Sequence, residues 1–506
     1  MTGWELTPDW LRARAAASPN SVALMIDDRA WTFSRLDVLV DGLCGYLTRR
    51  GIERGEHVAL MMPNSLAAVA CIYASARLGA VLVPLNGRLT AAELNWQIDQ
   101  ADCSHLLCLD TSEALAKTSI AGQVHLHVLP ANADEVEALL LASSIESFPS
   151  PQSHDPSAIQ AIVFTSGTTG RPKGAMITYT NHFWSAVGSA FKLGVQPDDR
   201  WLVCLPLYHV GGQAILFRSC LYGTTAVVHD GFDVDAVMNS LATKRITLVS
   251  LVPTMLERLL RGGLSRAMAP ALRLILLGGA AAPPALLAAA HAADLPVAVT
   301  YGLTEAASQV ATAQPDEARR KPGSAGRSLL FSSIQIEDPH GRLPAGEPGE
   351  IVVTGPTVMA GYYNDPADTD VTLRDGRLHT GDVGYLDEDG DLWILDRRDD
   401  LIVSGGENVY PAEVEQVLRE YPGVAAACVV GLPHPEWGQQ VAAVVVPVHG
   451  NVVTESELRA FTRARLAGYK QPRALVFADE LPLTASGKVR RRNVAEQLAA
   501  MLEPSK

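Results

Sequence analysis

Residues 164–174 read F-T-S-G-T-T-G-R-P-K-G, a run of hydroxyls and glycines that closes on one cation, Lys173. The apolar residues 161–164 lead into it as a short buried strand would. Gly167, Gly170 and Gly174 let the backbone approach a ligand closely. The hydroxyls of Thr165, Ser166, Thr168 and Thr169, with the loop N–H groups, can wrap a polyphosphate while Lys173 balances its charge. The string is not the common G-x-x-x-x-G-K-[ST] loop: Arg171 and Pro172 separate Gly170 from Lys173, and Gly174 takes the hydroxyl position. The competing reading is a plain Ser/Thr/Gly surface loop.

Three further strings carry chemistry. Residues 300–309, T-Y-G-L-T-E-A-A-S-Q, follow the apolar strand 297–299 with a tyrosine–glycine turn. They set the Thr304 hydroxyl beside the Glu305 carboxylate, which can hold Mg²⁺ bridging phosphate oxygens. The plainer alternative is a helix N-cap with a first-turn glutamate. Asp382 stands on the turn Thr380-Gly381-Asp382 ahead of Arg397, and such an aspartate can take both ribose hydroxyls. Residues 482–492, P-L-T-A-S-G-K-V-R-R-R, put Lys488 on a glycine turn. A mobile lysine there can neutralise charge developing at an α-phosphate. The alternative is a basic surface turn.

The elements around these strings alternate strand and helix. Strands are expected at 22–27, 30–33, 58–61, 79–85, 104–109, 201–204, 225–229, 246–251 and 272–277. Helices are expected at 34–50, 66–78 with Ser65 as N-cap, 181–191 and 253–260, with a glycine-broken helix running to 221. This rhythm implies layered α/β subdomains with parallel sheets. A charge cluster at 396–400 marks a boundary. Beyond it, helices at 411–421 and 454–467 and strands at 401–403, 424–430, 441–448 and 473–476 make a small α+β domain. The expected division is 1–396, a hinge at 397–400, and 401–506.

The 506 residues exceed one compact core. A net charge of −14 argues against non-specific nucleic-acid binding or a polybasic membrane attachment. The N-terminal residues have neither a basic nor an apolar signal region, and no apolar run reaches bilayer-spanning length. The seven cysteines show no metal-ligand spacing, which fits reduced core thiols in a cytoplasmic protein.

In order and spacing these strings resemble the adenylate-forming superfamily of acyl- and aryl-CoA synthetases, non-ribosomal adenylation domains and firefly luciferase. The resemblance covers the whole chain. It implies a large N-terminal domain of layered α/β subdomains plus a small β-barrel-like part, followed by a small mobile α+β domain. It implies ATP, Mg²⁺ and CoA as cofactors and co-substrates. Residues 165–174 would cradle the β- and γ-phosphates; Gly278, Gly279 and Ala280 would flank adenine with Tyr301 and Gly302. Thr304 would contact the α-phosphate, Glu305 hold Mg²⁺, Asp382 and Arg397 bind ribose, and Lys488 catalyse adenylation. Asp399 falls at the family's hinge, about which the C-terminal domain turns to bring residues 404–408 forward as a wall of the pantetheine tunnel. Arg88, Gly405, Gly406, Trp437, Tyr469 and Arg473 resemble CoA contacts, although Gln471 stands where the family often has a basic residue.

The blocks 178–187, 199–213, 250–260 and 276–283 are most similar to those of o-succinylbenzoate–CoA ligases of menaquinone biosynthesis. The acyl pocket would then include His209, Gly211, Arg218, Val252 and Ser308. Arg218 would meet the substrate's second carboxylate, and His209 would pack on the ring or guard the carbonyl; each also has a purely structural reading. The reaction implied is acid + ATP + CoA giving acyl-CoA + AMP + pyrophosphate. The alternatives are a ligase for another aryl acid (benzoate, anthranilate) or a medium-chain fatty acid, or a non-catalytic nucleotide-binding homologue. Partners are then small molecules, with no nucleic acid, no membrane insertion, and a homodimer left open.

Overall fold

In the computed structural model, which describes residues 6–143, 153–166, 172–396, 401–448, 453–482, 489 and 491–502, a nine-stranded sheet carries most of the chemistry-bearing segments. Its strands run in the order Arg327–Ser328, Ser308–Ala313, Val297–Leu303, Leu274–Leu277, Leu248–Leu251, Arg200–Val203, Thr225–Val228, Val22–Ile26 and Arg29–Thr32. The central pairs are parallel, and antiparallel pairs close both edges. Strands buried on both faces read as near-continuous Leu/Ile/Val runs, which is why 274–277 is L-I-L-L.

The two faces bury different helices. Trp201, Val203, Val228 and Leu276 pack with the Val210–Tyr222 helix in one core. Leu202, Val227, Leu251 and Leu277 pack with the helices Val234–Thr243, Pro253–Arg261 and Pro284–Ala292 in another. A six-stranded sheet follows the order Pro172–Thr178, Ile159–Ser166, Val81–Pro84, His57–Met61, His105–Leu109 and His125–Leu129, parallel from Ile159–Ser166 onward. The β-barrel-like part is a six-stranded sheet of antiparallel pairs over residues 333–396, with its own core of Ile334, Ile336, Ile351, Val353 and Leu378. Its edge strands are unpaired with one another among the described residues, so it is an open sheet.

The chain divides into two compact units, one of 1–87, 97–164 and 174–395, the other of 88–96, 165–173 and 396–506. The second holds a five-stranded sheet in which Gly438–Pro447 and Val424–His434 pair over ten positions and alternate residues feed two small cores. Among the described residues, no helix is long and apolar enough to cross a membrane. All seven cysteines are buried and unbridged. Burial pushes the Cys108 and Cys428 thiols up to about 11 and the Cys204 and Cys220 thiols up to about 12.

Three local expectations need correction. The 210–222 segment is one unbroken helix. Gly212 does not interrupt it but permits a close approach, since a Cβ there would lie 2.3 Å from the Pro206 carbonyl oxygen. The expected tyrosine–glycine turn is strand: Val297–Leu303 runs through Tyr301 and Gly302 with a bulge between them. Its pairing with Ser308–Ala313 overrides the turn signal of Gly302, where a Cβ would sit 1.8 Å from the Ser308 carbonyl oxygen. Thr380, Gly381 and Asp382 likewise lie inside the strand Arg377–Leu386.

Candidate active site

Where parallel strands send their following helices to opposite faces, a crevice opens beyond their carboxyl ends. Arg200–Val203 and Leu248–Leu251 are such neighbours, with the Val210–Tyr222 helix on one face and the Pro253–Arg261 helix on the other. The residues at that crevice are those the sequence singles out. His209 is N-cap to the first helix, with Gly211 in its first turn, and Val252 is N-cap to the second. Gly278, Gly279 and Ala280 follow the next strand, and a Cβ on Gly279 would lie 3.1 Å from Val252 Cγ1.

The loop 205–209 is clamped from two sides. Asn64 donates from Nδ2 to the Leu205 carbonyl (2.9 Å) and accepts from the Leu207 N–H at Oδ1 (2.9 Å). Gln213 donates to the Leu207 carbonyl at 3.0 Å. The sequence marks Asn64 only as a turn residue; no local signal relates it to a loop some 140 positions away.

Two of the four strings, 300–309 and 380–382, meet at the bulged strand. Tyr301 is fully buried and gives its hydroxyl to Asp382 Oδ2 at 2.7 Å, which fixes that carboxylate. Thr304, Glu305 and Ala306 form a single 3₁₀ turn, not an N-capped α-helix. Glu305 is buried, and the Tyr362 hydroxyl, another residue the sequence reading missed, donates to its Oε1 at 2.8 Å. A carboxylate buried next to a neutral donor suits a divalent cation. The turn then passes through Ala307 at φ 50° and Ser308 at φ 102°, both left-handed and costly for residues with a Cβ.

Beside this turn lies Arg218, 1% exposed. Its Nη2 donates to Ser185 Oγ at 3.1 Å, and its guanidinium sits 5.7 Å from the Trp201 ring centre. Among the described residues Nε has no partner and no carboxylate pairs with it. Burial lowers its pKa, with only Tyr222 opposing. His182 is buried against Phe217, and among the described residues its Nε2 has no partner. Burial, aided by the Arg218 charge, pushes its pKa down to about 3, so the ring is neutral.

In the second unit Thr165 is the penultimate residue of the strand Ile159–Ser166, and Lys173, 9% exposed, is the second residue of the strand Pro172–Thr178. A cluster of rings and cations forms there. Arg88 lies 5.1 Å from the Tyr469 ring centre and pairs with Glu407 at 3.2 Å. Arg473 lies 5.0 Å from the Trp437 ring centre. The Gly405 N–H donates to the Trp437 carbonyl at 2.9 Å, and Gly406 completes that turn. His434, unremarked in the sequence, stacks on Trp437 at 4.3 Å. Gly167, Thr168, Thr169, Gly170, Arg397, Asp399 and Lys488 lie outside the described residues, as does the side chain of Ser166.

The family models agree with this chemistry. Residues 11–363 match the AMP-binding enzyme family, and residues 413–488 match the AMP-binding enzyme C-terminal domain. The chain belongs to the AMP-binding enzyme family. A 2-succinylbenzoate–CoA ligase of Bacillus cereus (strain Q1) is 41% identical over 497 residues, covering 98% of this chain and all of that one. Among solved structures, a double mutant of o-succinylbenzoate CoA synthetase from Bacillus subtilis, bound to a product analogue, matches with a TM-score of 0.90 at 36% identity, covering 97% of this chain and 98% of that one. The same synthetase in complex with ATP and magnesium ion matches at 0.74 and 36%, covering 97% and 100%. An amide bond synthetase from Marinactinospora thermotolerans matches at 0.86 and 32%, covering 96% and 99%.

Proposed function

We propose that this chain is an AMP-forming acid–CoA ligase that acts on 2-succinylbenzoate in menaquinone biosynthesis. The class rests on the full-length relationship to 2-succinylbenzoate–CoA ligases and on the AMP-binding family match. The choice of acid rests on one observation: Arg218 is a fully buried guanidinium whose described partners are a hydroxyl and an indole face. A buried charge calls for an opposite one. 2-Succinylbenzoate has two carboxylates; one is activated, and the ring carboxylate is left to meet Arg218. Benzoate and fatty acids have none to spare.

The substrate carboxylate attacks the ATP α-phosphate, forming the acyl-adenylate and expelling pyrophosphate. The CoA thiol then attacks the activated carbonyl, forming the thioester and releasing AMP. Residues 165–174 would hold the β- and γ-phosphates, and Glu305 would hold the Mg²⁺ that accompanies ATP and offsets its phosphate charge. Asp382, held by Tyr301, takes the ribose with Arg397, while Gly278–Ala280 border adenine. Lys488 supplies the charge for adenylation. Trp437 and Tyr469, each with its arginine neighbour, offer stacking and phosphate-binding surfaces to the CoA nucleotide. The division at 396/397 belongs to the same proposal and is supported by the change of unit at Leu395/Asp396. A cytoplasmic setting follows from a reaction that draws on ATP and CoA; gel filtration tests for the homodimer.

Pyrophosphate release, measured with ATP and CoA across 2-succinylbenzoate, benzoate, anthranilate and octanoate, tests the assignment. The highest kcat/KM should fall on 2-succinylbenzoate; an equal or higher value for any of the others would overturn the choice of acid. Lys488→Ala should abolish pyrophosphate release yet still convert supplied acyl-adenylate to thioester. Release at the parental rate would remove Lys488 from the first step.

A further inference from the structure

We infer that Ser185 is a positioning residue that couples acid binding to nucleotide binding. The inference rests on the reading of Arg218 as the partner of the substrate's second carboxylate. Ser185 lies on the Tyr179–Leu193 helix, 2% exposed. Its single hydroxyl does two things at once. It accepts from Arg218 Nη2 at 3.1 Å, and it donates to the Ala307 carbonyl at 2.7 Å. A hydroxyl has one proton, so donation to Ala307 orients its lone pairs toward the guanidinium.

The two ends of this relay differ in kind. Arg218 stands on a rigid, unbroken helix. Ala307 is the left-handed residue that closes the turn of Thr304, Glu305 and Ala306, its N–H bonded to the Thr304 carbonyl at 3.0 Å. A carbonyl held by a buried donor helps keep this strained turn in place, and the turn carries the groups assigned to the α-phosphate and Mg²⁺. When a carboxylate draws Arg218 toward it, the Arg218–Ser185 bond changes, and Ser185 passes that change to Ala307. Nucleotide held by the turn acts on Arg218 by the same path. Coupling of this kind is reciprocal: each ligand alters the affinity of the other by one common factor.

The test is a binding cycle on the full chain. Affinity for 2-succinylbenzoate is measured by calorimetry with and without α,β-methylene-ATP and Mg²⁺. The parental protein should bind the acid more tightly with the nucleotide present. Ser185→Ala should reduce that enhancement by roughly tenfold, the fold-change matching a lost hydrogen bond to a charged group. Ser185→Thr keeps the hydroxyl and should restore most of it. Ser185→Cys preserves volume with a weak donor, should lose it like Ser185→Ala, and serves in its place if the alanine variant does not fold. Either variant binding with the parental enhancement, or a parental protein with no enhancement, overturns the coupling role. Arg218→Ala separates the two ideas. If it weakens 2-succinylbenzoate but not benzoate while Ser185→Ala leaves the enhancement intact, the substrate reading stands and the relay fails. If it weakens both acids equally, the substrate reading itself fails.

Discussion

Arg77 and Arg218 are both about 1% exposed, yet their surroundings are opposite. Arg77 is ringed by Asp9, Asp37 and Asp41 and also donates to the Asp37 carbonyl at 3.1 Å. Burial alone would lower its pKa, but Asp9 and Asp37 outweigh burial and hold it above the ordinary value. Arg218 has a serine, a ring face and an unpartnered Nε, and burial lowers its pKa. The first arginine is complete without a ligand and ties helices together. The second is incomplete, and a buried incomplete charge is a sign of something that binds.

The contrast breaks most visibly by removing each charge in turn. Arg77→Met should leave Asp9 without its cation and Asp37 and Asp41 with Arg12 alone, and destabilise the fold by about 3–5 kcal/mol, read as a fall in the urea midpoint, with turnover per folded molecule unchanged. Arg218→Met should leave the urea midpoint unchanged or raised, because no carboxylate loses a partner. It should nonetheless raise KM for 2-succinylbenzoate by roughly tenfold or more, as a lost hydrogen bond to a charged group would. If Arg218→Met unfolds the chain as readily as Arg77→Met, the two arginines are the same kind of residue and the contrast collapses. A smaller loss, about 1–3 kcal/mol, should follow Asn64→Ala, which leaves the Leu205 carbonyl and Leu207 N–H without their described partner. On the proposal that the loop 205–209 borders the acid, its KM effect should extend to every acid tried, unlike that of Arg218→Met.

The effect that is smallest at neutral pH concerns His182. Its pKa is about 3 folded and about 6.5 unfolded, so between those values the unfolded chain takes up a proton that the folded one refuses. Stability should therefore fall as pH drops from about 6.5 toward 3. His182→Gln should flatten that fall by up to one proton's worth, read from melting temperature against pH. An unchanged slope would mean that His182 is not held neutral beside Arg218.

Much of this molecule was legible beforehand where the signal is local. The helix Leu66–Leu78 with Ser65 as N-cap follows from a capping serine and an apolar run, and the structure bears it out to the residue. Seven strands of the nine-stranded sheet are readable as short runs bounded by turn residues, whereas Ser308–Ala313 and Arg327–Ser328 carry no such signal and go unread. The failures are where distant pairing decides. Gly302 looks like a turn but is strand, since its pairing with Gln309 fixes it; Gly381, at φ 73°, lies where the pairing of its strand shifts register, its N–H held by the Glu350 side chain at 3.0 Å. Asn64, Ser185 and Tyr362 are ordinary residues in the sequence, and only the fold brings them to Leu205, Ala307 and Glu305. Arg218 is identified by a resemblance; that no described carboxylate pairs with it is visible only in three dimensions.

The seven buried cysteines have a practical consequence. Sulfhydryl reagents added to the native protein will find few targets on it. A colorimetric count of free thiol during turnover will therefore follow the acceptor being consumed, with little background from the catalyst. For the same reason, one cysteine introduced on the surface would give a nearly unique attachment point for a fluorophore.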